Sequence, residues 1–114
     1  MNLYEALCKL PLSQSMRLYW RKLLKKAPET FQLEDWEFAW DNNNCCILRS
    51  RGGSKTFDFI NWVIFRAVRC NERWMWITPK SGQLRQAKVY FMENPLVKSI
   101  RNLNNMSYIV TLWN

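Results

Sequence analysis

The chain has 114 residues, room for one hydrophobic core, and its 48% apolar and 15% aromatic content excludes a disordered segment. Seventeen Lys and Arg against nine Asp and Glu leave a formal charge of +8, which favours a polyanionic partner. Histidine is absent, so Cys/His zinc sites, Ser-His-Asp triads and Cys-His dyads are excluded.

The N-terminal stretch lacks the layout of a signal peptide, because Glu5 interrupts it and no long apolar run follows. No run approaches the roughly 18 apolar residues of a membrane span. The expectation is a cytoplasmic protein. From Ser13 to Lys26 the apolar residues Met16, Tyr19, Trp20, Leu23 and Leu24 recur at helical spacing. Arg21, Lys22, Lys25 and Lys26 form the densest basic cluster, and Pro28 ends the helix. A second helix is expected over Leu33–Trp40, followed by a turn at Asp41-Asn42-Asn43-Asn44.

Cys45-Cys46-Ile47-Leu48 is a short continuous apolar run, the pattern of a strand buried on both faces, with the two thiols reduced in the core. A loop with two adjacent glycines, Gly52 and Gly53, separates it from a strongly apolar helix over Lys55–Arg69. Asp58, Asn61 and Arg69 lie near one stripe of that helix. Trp74–Thr78 reads as a second buried strand, stopped by Pro79. A helix is expected over Gly82–Met92, then a helical turn from Asn94-Pro95 through Ile100, a turn at Asn104-Asn105, and a third strand over Ser107–Trp113. Strands alternating with helices predict an α/β fold with a parallel sheet and helices on both faces.

The loop carries the chemistry of this reading. A phosphate-binding loop uses a strand for entry, small residues that bring backbone N–H groups to the phosphates, and a helix N-terminus facing the anion. It adds a Lys for the β/γ-phosphates and a Ser or Thr for Mg²⁺. Gly52, Gly53 and Ser54 supply the turn, Lys55 the point charge and Thr56 the metal-side hydroxyl. The standard pattern would place glycine at positions 49 and 54, where this chain has Arg49 and Ser54.

Ser50-Arg51-Gly52-Gly53-Ser54-Lys55-Thr56 resembles the deviant Walker A loop of viral terminase large subunits, the ATPase motors that package DNA. The resemblance implies an incomplete P-loop NTPase: a helical lead-in over 1–29 and a nucleotide-binding βαβ core over 30–114. It implies ATP and Mg²⁺ as cofactors. Arg51 and Lys55 become the catalytic residues, Gly52–Thr56 the phosphate cradle, Thr56 the Mg²⁺ ligand and Gln32 the reader of adenine. Double-stranded DNA and the portal and small terminase subunits are the implied partners, with a possible homo-oligomer and no membrane. No apolar strand ends in an acidic pair, so the expected chain is a piece of a larger ATPase that turns over ATP slowly or not at all. Two alternatives remain open. One is an N-terminal piece of a helicase-type P-loop ATPase. The other is a small basic nucleic-acid-binding or inhibitor protein complete at this length, supported by the +8 charge and seven tryptophans.

Overall fold

The computed structural model describes residues 2–42, 44–47, 55–78, 81–104 and 107–113. Among the described residues, five α-helices precede two antiparallel strands that form a hairpin: α1 Leu3–Lys9, α2 Leu12–Tyr19, α3 Thr30–Asp41, α4 Lys55–Cys70, α5 Ser81–Glu93, β1 Val97–Asn104 and β2 Ser107–Leu112. The chain divides into two compact units, Met1–Asp58 and Phe59–Asn114, with the boundary inside α4.

In the first unit, the Asn2 side chain accepts the Glu5 N–H at 2.8 Å and starts α1. Pro11 then precedes α2, and the Ser15 hydroxyl donates to the Leu7 carbonyl at 2.6 Å, a buried bond joining the two helices. A wider π-type turn over Trp20–Leu24 continues α2 and closes where the Lys25 N–H reaches the Trp20 carbonyl. Lys25 takes the left-handed conformation (φ 58°), so the helix stops there, ahead of Pro28. Leu7, Met16, Tyr19, Trp20, Leu33 and Trp36 form the core. Trp36 is its centre, with ring centroids 5.8 Å from Tyr19 and 5.4 Å from Trp20.

The second unit buries Ile60, Trp62, Ile64, Phe65, Ala67 and Val68 of α4 with Ala87 and Phe91 of α5 and Leu96. Asn61 and Asn94 are buried as a pair: Asn94 Nδ2 donates to Asn61 Oδ1, and Asn94 Oδ1 accepts the Leu96 N–H, each at 2.9 Å. This fixes the chain as it enters β1. The strands β1 and β2 run antiparallel in the register Val97 to Leu112, Ser99 to Thr111, Ile100 to Val110, Arg101 to Ile109 and Asn102 to Tyr108. A register shift between Val97 and Ser99 leaves Lys98 as a bulge.

The expected α/β architecture with a parallel sheet is therefore corrected. Among the described residues the only sheet is two-stranded and antiparallel, so the P-loop arrangement of parallel strands between helices is absent there. Cys45–Ile47 is not a strand, and Cys45 and Cys46 are exposed rather than core. Trp74–Thr78 belongs to no strand or helix, and Met75 and Ile77 are about four-fifths exposed (80% and 79%). Among the described residues neither apolar run has a neighbouring strand to satisfy its backbone, and without one a buried strand is not available to it. The expected helical turn through Ile100 is instead the start of β1. Helices α2 to α5 stand close to the expected ranges, as does the strand over Ser107–Leu112, whereas α1 was not expected.

Candidate functional site

Of the residues of the phosphate-loop reading, Gln32, Thr56 and the backbone of Lys55 fall within the described residues. Arg49, Arg51, Gly52, Gly53 and Ser54 lie outside them. Lys55 begins α4, although its side chain is not described, and Thr56 follows it half-buried. Gln32 is buried on α3 with both ends of its carboxamide engaged inside the first unit. Its Oε1 accepts the Glu29 N–H at 2.8 Å, and its Nε2 donates to both carboxylate oxygens of Asp58 at 3.2 and 3.1 Å. Asp58 is fully buried, and so is Asn61 next to it on the same stripe of α4, which places that polar stripe inside the protein rather than in water.

A different surface emerges from the hairpin of the second unit. Cross-strand partners share a face, and successive residues alternate between faces. Tyr108, Val110 and Leu112 are half-buried on the side of α5. There the Tyr108 hydroxyl donates to the Leu84 carbonyl at 2.9 Å, and its ring meets Phe91 edge-on at 6.4 Å. Burial pushes the Tyr108 phenol above its ordinary pKa. Lys88 of α5 reaches the same side, donating to Asn102 Oδ1 at 2.9 Å.

The opposite face of the hairpin carries Ser99, Arg101, Ile109, Thr111 and Trp113, all exposed. The bulged Lys98 brings its ammonium 5.2 Å from the Trp113 ring centroid. Two cations and an indole thus share one solvent-facing ribbon, and Trp113 is held to the hairpin root by its N–H bond to the Leu96 carbonyl at 2.9 Å. The surrounding charge matches. Residues 59–114 hold eight basic side chains and two acidic ones, a net +6. One of the acids, Glu72, is occupied by Arg66 at 2.7 Å, whose hydrogen bond holds the Glu72 carboxyl below the usual glutamate range. Sequence reasoning passed over this face because β1 was read as a helical turn. The signals were present in Lys98, Arg101 and Trp113, but only the strand register places them together.

The first unit has its own charge pattern. No acidic residue occurs between Glu5 and Glu29, a stretch with six Lys and Arg, and no basic residue occurs from Ala27 to Leu48. The α3 helix is therefore purely acidic. Leu33 and Trp36 face the core, whereas Phe31, Glu34, Glu37, Phe38 and Asp41 are exposed along the opposite side.

No group of His, Cys, Asp and Glu suited to a metal ion occurs among the described residues, and no described helix is long and apolar enough to cross a membrane. The sequence matches no protein-family model, and comparisons with curated proteins and with solved structures give no match.

Proposed function

We propose that the protein binds single-stranded nucleic acid on the open face of its hairpin. The observation that carries this reading is the grouping of Lys98, Arg101 and Trp113 on one uncovered face of a unit with net charge +6. Basic side chains track a phosphate backbone, and an exposed indole offers a stacking surface to any base. Ile109 beside Arg101 extends the apolar part of the face, and α5 supports the ribbon from behind. The terminase-like reading loses the support of its fold, since it required a buried strand before the loop and a parallel sheet around it.

Fluorescence anisotropy with a labelled single-stranded oligonucleotide tests the proposal across a salt series. Binding is expected to weaken steeply with salt. Lys98→Ala/Arg101→Ala should lower the slope of log K against log salt by about 1.4, at about 0.7 per lost phosphate contact. Trp113→Ala should cost about 1–3 kcal/mol, the worth of one stacked base. Absence of binding at low salt, or binding that ignores all three substitutions, refutes the assignment.

A further inference from the structure

We infer that the acidic outer face of α3 docks the basic hairpin face of a second copy of this chain, so that self-association competes with the nucleic acid for the same ribbon. The inference rests on the nucleic-acid reading only for what the docking competes with. The docking itself follows from the two surfaces.

The α3 face has an unusual combination of properties. Helical geometry puts Phe31, Glu34, Phe38 and Asp41 in one row at spacings of three and four residues, with Glu37 alongside. All five are exposed, and Phe38 is 51% exposed. Two aromatic rings among three carboxylates exceed what solubility requires of a helix surface, since acidic side chains alone would serve. The chemistry calls for a partner with cations at its rim and apolar atoms between them. The hairpin face answers both demands with Lys98 and Arg101 as cations and Ile109 and Trp113 as apolar surface. A protein of net charge +8 that confines five acidic residues to Glu29–Asp41 has concentrated its complement to its own basic ribbon in one place.

A contact between two different surfaces is heterologous, so it extends from copy to copy unless it closes on itself. Charge complementarity of this kind is screened by salt over a Debye length of about 8–10 Å at 0.1–0.15 M.

Sedimentation velocity of the full chain, without nucleic acid, tests the docking at low and high salt. Association is expected at low salt and a monomer at high salt. Reversing one side by Glu34→Lys, Glu37→Lys and Asp41→Lys should give a monomer, as should Lys98→Glu with Arg101→Glu. All five positions are on the surface, so folding is not at stake, and mixing the two variants should restore association because each then offers what the other lacks. A single-stranded oligonucleotide should dissociate the native oligomer. A wild-type chain that stays monomeric at low salt overturns the inference, as does association that survives the α3 reversal or a mixture that fails to associate. The two readings fail separately. Self-association in a chain that binds no oligonucleotide leaves the docking standing without its competitor, whereas oligonucleotide binding by a strict monomer keeps the proposed function and removes the docking.

Discussion

Gln32→Ala removes three hydrogen bonds from the first unit at once: the one accepted from Glu29 and the two donated to Asp58. The two losses differ in kind. The bond to Glu29 is the backward arm of a capping box, and caps contribute about 0.5–2 kcal/mol. The bonds to Asp58 involve a fully buried carboxylate, for which hydrogen bonds are worth about 1.5–3 kcal/mol because desolvation leaves the charge dependent on its donors. Together they predict a loss of about 2–5 kcal/mol, a large share of the ~5–15 kcal/mol by which domains are stable. In urea unfolding followed by far-UV circular dichroism, a slope of about 2 kcal/mol/M moves the midpoint down by about 1–2.5 M. Gln32→Glu sets two carboxylates face to face. It should be at least as damaging as Gln32→Ala at neutral pH. A Gln32→Ala protein that loses less than about 0.5 kcal/mol refutes this account of how the residue works.

Asn94→Ala strips both the Asn61 carbonyl and the Leu96 N–H of their partner, so thermal unfolding should show a loss of about 2–3 kcal/mol, more than for Asn61→Ala. Tyr108→Phe removes the bond to Leu84 at a cost of about 1 kcal/mol. Because the folded Tyr108 pKa is raised, the neutral phenol's contribution is full below the ordinary value near 10 and is lost as pH rises through the folded value. The Phe variant should therefore lose less stability than wild type in alkaline unfolding curves. The sign is opposite for Glu72: its pKa is lowered by Arg66, so the pair's contribution is full above the ordinary glutamate range and disappears as pH falls through the lower folded value. Glu72 is well exposed, so Glu72→Gln should change the acid limb of the stability curve only slightly. Calorimetry with Mg²⁺-ATP is expected to show no binding, with wild type and Lys55→Ala alike. Saturable heat that Lys55→Ala abolishes would restore the phosphate-loop reading.

Helices α2 to α5 were legible because their apolar residues recur at helical spacing, as in α4, where the seam from Ile60 through Ile64 to Val68 is buried, whereas the seven-residue α1 is too short to show a period. The β1 strand was not legible for a definable reason. Its apolar residues Val97, Ile100 and Leu103 stand three apart, a spacing that mimics a helix. The bulge at Lys98 produces it, since one extra residue shifts the alternation and puts Val97 and Ile100 on the same face despite their odd separation. Cys45–Ile47 and Trp74–Thr78 failed in the other direction. Apolar composition proposes a strand, but the sheet that would bury it is a long-range property that a local run does not encode.

The same gap explains what happened to the site. Gln32, Asp58 and Asn61 are polar residues set among apolar ones, and sequence alone offers two accounts of such residues: they face a ligand, or they satisfy one another inside. Twenty-six positions separate Gln32 from Asp58 and 33 separate Asn61 from Asn94, so neither pairing can be read from local spacing. Once paired, both serve the fold, and their polar atoms are committed to it. What remains for a partner is the charge that stays exposed at the surface. The second unit puts part of it on the open side of the hairpin, at Lys98 and Arg101. An interface held by such groups should respond to salt and to charge reversal more than to truncation of buried polar residues, whose loss acts first on stability. A substitution at Asn94 that weakens oligonucleotide binding should therefore do so in step with unfolding, while Arg101→Ala weakens it in a chain that melts at the wild-type temperature.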